Sequence, residues 1–67
     1  MSVAKVIEIS SQSTESFDDA IREGISRASK TVKNIKGAWI QEQQVLVENS
    51  KVVGYRVDMK LTFLLSD

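Results

Sequence analysis

Trp39 is the only tryptophan in this 67-residue chain. It stands in Ala38-Trp39-Ile40-Gln41-Glu42-Gln43-Gln44, a segment that reads as part of a strand. An exposed indole offers a flat face on which a planar ligand can stack, worth about 0.5–1.5 kcal/mol beyond the burial of its area. The same indole also suits a contact between protein copies, where tryptophan is enriched. Gln41 shares the Trp39 face and adds an amide, a third candidate for ligand contact. Arg56 can grip a phosphate bidentately or donate to a ring carbonyl. It can equally pair with Asp58, with Glu42 or with an acid from another copy, or lie over Trp39 as a cation–π partner. Glu42 with Asp58 or Glu48 is the carboxylate set open to a hard cation. Two or three acids on strands are ordinarily just solvated.

Several classes of chemistry fall away on composition. The chain has no Cys and no His, which removes disulfides, zinc fingers, thiol nucleophiles and imidazole bases. Catalysis needs a general acid or base tuned by its surroundings. Only carboxylates, lysines and Tyr55 remain, and none sits in a recognisable constellation. There is no Gly-rich phosphate loop and no acidic calcium loop. The chain is read as a non-enzyme. Nine basic residues balance nine acidic ones, and no basic stripe points to nucleic acid or a membrane surface. The opening Met1-Ser2-Val3-Ala4-Lys5 has no apolar run of signal length, and no segment approaches the ~20 apolar residues of a span. A soluble cytoplasmic protein of one domain, 1–67, is expected.

The elements that must position these groups follow from periodicity. Val3 to Ser10 is rich in β-branched residues and reads as a strand, with Ile7 and Ile9 on one face. Ser10 to Thr14 reads as a polar turn, and Ser13 is a good helix N-cap. From about Thr14 to Lys33, Phe17, Ala20, Ile21, Gly24, Ile25, Ala28 and Val32 recur at three- and four-residue steps, the stripe of an amphipathic helix. Gly24 on that stripe costs about 1 kcal/mol against Ala and fits if a strand passes close by. Asn34 to Gly37 ends the helix. Ala38 to Glu48 is a second strand, with Trp39, Gln41, Gln43, Val45 and Val47 on one face. Asn49-Ser50-Lys51 is a short turn. Val53, Tyr55, Val57, Met59, Leu61, Phe63 and Leu65 then alternate with other residues as a long third strand, antiparallel to the second.

The result is an α+β chain in the order β-α-β-β. It carries a shortage. A helix of about twenty residues spans ~30 Å, while the third strand reaches about 43 Å. Roughly 13 Å of apolar strand face is left without a lid, toward the Met59–Leu65 end. Exposed apolar surface of that kind marks an interface. A chain this short is marginal alone and leans on oligomerisation.

The opening KVIEIS, the helix SFDDAIREGISRASKTV, the segment AWIQEQ and the closing GYRVDMKLTFLL together resemble dodecins, over nearly the whole chain. The resemblance implies a three-stranded antiparallel sheet wrapped around one helix, and twelve copies assembled into a hollow shell. It implies a binding and storage role, with flavins such as riboflavin or FMN held in pairs at subunit contacts. Other members hold coenzyme A or metal ions instead. In flavin-binding members a Trp on the second strand stacks on the ring, and a Gln directly after a Tyr on the third strand bonds its polar edge. The Tyr-Gln pair matches Tyr55-Arg56 here. Counted without gaps, the stacking position falls on Gly37, and Trp39 follows two residues later. With Gln41, taken from its place beside Trp39, the candidate residues for ligand contact are thus Trp39, Arg56, Gln41 and Gly37. The alternative is a shell of the same kind in which Trp39 and Arg56 close the pocket, leaving it to coenzyme A, an anion, a metal ion or nothing.

Overall fold

The computed structural model describes residues 3–65. Its elements are β1 (Ala4–Ser13), α1 (Phe17–Ala28), β2 (Ile35–Glu48) and β3 (Lys51–Leu64). All strand pairs are antiparallel, and the sheet order is β1-β3-β2. The last strand in sequence is therefore the central one. That placement explains its clean alternation: it is paired on both edges and its inner face lies under the helix. Val57, Met59 and Leu61 of β3 are fully buried, together with Ala20 of α1. Ile7 and Ile9 of β1, Ala38 and Ile40 of β2, and Phe17, Ile21 and Ile25 of α1 close around them. The Phe17 ring meets Tyr55 edge to face, with centroids 5.1 Å apart.

The helix is shorter than its apolar stripe predicts. β1 does not stop at Ser10; Ser10 to Ser13 pair with Asp58 to Tyr55, and ladder bonds to a central strand override weak strand propensity. Ser13 is therefore not the cap. Its Oγ accepts from the Glu15 backbone N at 2.8 Å and donates to Asp19 at 2.6 Å. Ser16 caps the helix instead, accepting from the Asp19 N at 2.9 Å. At the other end, Ser29 Oγ donates to the Ile25 carbonyl at 2.8 Å and Thr31 Oγ1 to that of Ala28 at 3.4 Å. Such hydroxyls satisfy the last carbonyls locally and end the helix at Ala28 rather than Lys33. Asn34 then adopts a left-handed φ of 66° and turns the chain into β2. The second strand starts at Ile35, so Gly37 lies within it rather than in a loop.

The β2–β3 turn is as short as expected. Asn49 and Ser50 both have positive φ, 50° and 64°, the two-residue hairpin turn whose twist matches that of the strands. The pairing above it contains three irregularities, at Lys36, Gln41 and Val53. Each inserts one residue without a partner and shifts the alternation by one. The irregularity at Gln41 overturns the expected facing of β2. Glu42, Gln44 and Leu46 pair with Asp58, Arg56 and Gly54 and so share the face of Trp39, while Gln43 and Val45 turn to the helix side.

A helix of 12 residues covers about 18 Å. A strand of 14 residues runs about 46 Å. The uncovered length is larger than the sequence implies, and most of it lies elsewhere. Met59 and Leu61 are buried beneath α1, while Leu65 at that end is exposed as expected; the further bare residues are Val3 and Val6 on the N-terminal side and Val45, Val47, Val52 and Val53 at the hairpin. α1 packs on β1 and β3, away from that arm. The molecule measures 51 × 20 × 13 Å, with a radius of gyration of 13.8 Å against about 11 Å for a compact chain of this length. It exposes 5128 Å², where a compact monomer of its mass exposes about 4,250 Å².

The close approach of α1 to the sheet falls at Gly24. A Cβ there would stand 2.6 Å from Met59 Cε and 3.0 Å from Ser11 Cβ. The overpacking cost of about 1–3 kcal/mol outweighs the gain of about 1 kcal/mol in helix propensity. Gly24→Ala is therefore expected to lower stability by about 1 kcal/mol, read from the denaturant midpoint; a stabilised variant would show slack between helix and sheet. With so small a core, the folded protein is expected to sediment as an assembly far heavier than one 7.5 kDa chain. A folded single chain at high dilution would contradict this.

Candidate functional site

Of the residues singled out from the sequence, Trp39, Glu42, Arg56 and Asp58 collect on the sheet face turned away from the helix. Four rows of Cα partners cross it: Gly37–Thr62–Val6, Trp39–Lys60–Glu8, Glu42–Asp58–Ser10 and Gln44–Arg56–Gln12. Directly opposed residues share a face, so one row neighbours the next along β3.

Trp39 is 67% exposed. It borders a recess of about 320 Å³ formed with Lys36, Gly37, Ala38 and Thr62. A Cβ built on Gly37 meets nothing within 4 Å, so the strip of sheet beside the indole is open. Gly37 and Trp39, the position implied by the family pattern and the Trp that follows it, thus belong to one surface.

Arg56 belongs to another recess, of about 420 Å³, with Glu42, Gln43, Gln44 and Asp58. Its row lies four residues along β3 from that of Trp39, about 13 Å away. Within one chain the guanidinium does not lie on the indole and does not share its recess. Arg56 Nε donates to Ser10 Oγ at 3.1 Å and stands 3.9 Å from Asp58 Oδ1. With side chains 43% and 34% exposed, that ion pair contributes about 1 kcal/mol or less. Asp58 Oδ1 is buried without a hydrogen-bond partner, because 3.9 Å is too long for a bond. Gln41 does not share the Trp39 surface: at its irregularity it has no partner on β3 and lines neither recess.

Glu42 and Asp58 face each other across the strands. Among the described residues no group of three or more acids, His or Cys is placed to hold a metal ion. Among the described residues no helix is long and apolar enough to cross a membrane.

Sequence reasoning missed Lys36, Lys60, Thr62 and Ser10. Lys60 and Thr62 were visible as the outer positions of the β3 alternation. Lys36 and Ser10 were not, because one was assigned to a loop and the other to a turn.

A family model described as Dodecin matches residues 3–66. The calcium dodecin of Mycobacterium tuberculosis is 35% identical over 63 residues, covering 94% of this chain and 89% of the relative. Among solved structures, the dodecin from Streptomyces davaonensis superposes with a TM-score of 0.93 at 32% identity, covering 98% of this chain and 97% of that one. The structure of the calcium-chelating antigen calcium dodecin from Mycobacterium tuberculosis gives a TM-score of 0.83 at 31% identity, covering 96% and 91%.

Because Trp39 is the sole tryptophan, intrinsic fluorescence reads this surface alone. In the assembled protein its emission is expected to be blue-shifted and shielded from acrylamide if a second copy or a ligand covers it. Emission as red and as quenchable as free tryptophan would show that nothing does.

Proposed function

The chain belongs to the dodecin family, whose members build hollow shells of twelve subunits, and on that premise we propose that it binds and stores a small planar ligand, a flavin, at contacts between copies. The observation that carries this reading is the exposed Trp39 beside the open strip at Gly37. An aromatic face left in water on a chain that must assemble is available to be shared. Trp39 supplies the stacking surface, and symmetry brings a second indole to the other side of the ring. Trp39 also donates an electron to the photoexcited ring, which quenches it and suppresses its light chemistry. Arg56 contributes to the same ligand only from a neighbouring copy, since its own Trp39 is too far along the strand. No residue here acts chemically on the ligand, so the protein is a cytoplasmic store rather than a catalyst.

A second reading is favoured by one observation: Arg56 is already engaged by Ser10 and Asp58 of its own chain. In this reading the shell forms, the polar recess is closed by its own side chains, and no flavin enters. Fluorescence titration separates the two. Stoichiometric quenching of FMN or riboflavin at micromolar protein is expected, and Trp39→Ala should abolish it while the shell stays whole. An intact shell that quenches neither flavin selects the second reading, and unchanged affinity in Trp39→Ala removes the stacking role.

A further inference from the structure

The sheet keeps one well-formed edge free. β1 pairs with β3 on one side, and among the described residues no strand pairs with its other side. The opposite edge of the sheet, on β2, is bent by the extra residues Lys36 and Gln41, irregularities of the kind that blunt an edge. β1 has none: Ala4 to Ser13 pair with Leu64 to Tyr55 in unbroken register. From Ile9 to Ser13 it carries no charge and no Pro, so nothing guards this length against another strand. A recess of about 480 Å³ runs between that edge and α1, lined by Ile9 to Gln12 on the strand and by Glu23, Gly24, Arg27 and Ala28 on the helix. No residue of β3 lines it, so it opens at the free edge. Glu23 and Arg27 border it with opposite charges. The one ion pair among the described residues is Arg56–Asp58, so neither is engaged by a countercharge of its own chain there.

We infer that two copies of the chain join along β1 about a two-fold axis at Ser11, with Glu23 of each helix paired to Arg27 of the other. An axis perpendicular to the sheet keeps both helices on one side and makes every contact reciprocal. Around Ser11, Ser10 then meets Gln12 of the second copy and Ile9 meets its Ser13, so no like charges are opposed. Gly24 is level with Ser11: a Cβ built on it stands 3.0 Å from Ser11 Cβ. The axis therefore passes α1 next to Gly24, and the two helices run antiparallel past it. That brings Glu23 level with Arg27 of the second copy, and Arg27 with its Glu23. Each helix packs on its own β1 and β3, so joined β1 strands set the helices about 10 Å apart, the spacing at which helices pack. One contact thus pairs the open backbone groups of the edge, fills the recess and matches both charges. It uses neither Trp39 nor Arg56 and is independent of what the outer face binds.

The test is a mixing experiment with two charge reversals. Glu23→Arg makes every charge at the axis positive, and Arg27→Glu makes every one negative. Each variant alone is expected to need about tenfold more protein to stay assembled, because two exposed pairs turn repulsive; sedimentation reads this. Mixed in equal amounts, the two variants are expected to assemble together as the unmodified chain does, since each then meets the opposite charge. An effect confined to one helix would persist in the mixture. Both positions are exposed, so the variants are expected to fold. Ser11→Cys tests the axis without touching the charges: in a chain with no other cysteine, it is expected to give covalent pairs on oxidation, and Ser10→Cys, off the axis, is not. Reversals without effect, a mixture no better than its components, or no covalent pairs from Ser11→Cys each overturn the inference.

Discussion

One mismatch of length governs this molecule: a 12-residue helix lies against strands of up to 14 residues. Helical residues advance about 1.5 Å and strand residues about 3.3 Å, so equal numbers of residues cannot cover one another. The helix shelters the middle of the sheet, where Val57, Met59 and Leu61 are fully buried. The β2–β3 hairpin then projects beyond it with Val45, Val47, Val52 and Val53 in water. Those valines are apolar surface that the chain's own helix leaves without cover.

The sheet divides labour between its faces. The side toward α1 holds the buried core of Val57, Met59, Leu61 and Ala20, and among the described residues no ionisable group is buried with them. The outer side carries Trp39, Lys60, Glu42, Asp58 and Arg56 in successive rows. β3 can serve both because it is central: its inner residues are held under the helix while its outer ones are spaced along a stiff, doubly paired strand. The register irregularity at Gln41 is what places Glu42 and Gln44 on the same side as Trp39. Without it, those groups would lie on the helix side instead.

The dodecin scaffold is kept here while the expected contact residues are altered. On the reading proposed above, Gly37 falls at the family's stacking position, Trp39 follows two residues later and Arg56 stands in place of the amide. Such exchange leaves the fold intact because the core lies on the inner face and these residues do not. Lys60 beside Trp39 and the Arg56–Asp58 pair farther along the strand place charge at separate points of the outer face.

Much of this was legible in the residues themselves. The period of two from Tyr55 to Phe63 depends only on alternation, and it marked both the long strand and its buried side. The stripe from Phe17 to Ala28 announced a helix lying on a sheet, Asn49-Ser50 announced the hairpin, and Gly24 the close approach of helix and strand. The absence of His and Cys removed whole classes of chemistry before any fold was known. Only the tertiary structure ended the helix at Ala28, carried β1 on to Ser13, added the hairpin valines to the bare surface and set Trp39 and Arg56 in separate recesses. The reason is physical. Periodicity is a property of a single segment, whereas strand register, the residue that bulges out of it and the competition of Ser and Thr hydroxyls for backbone groups are settled between segments, when the chain meets itself.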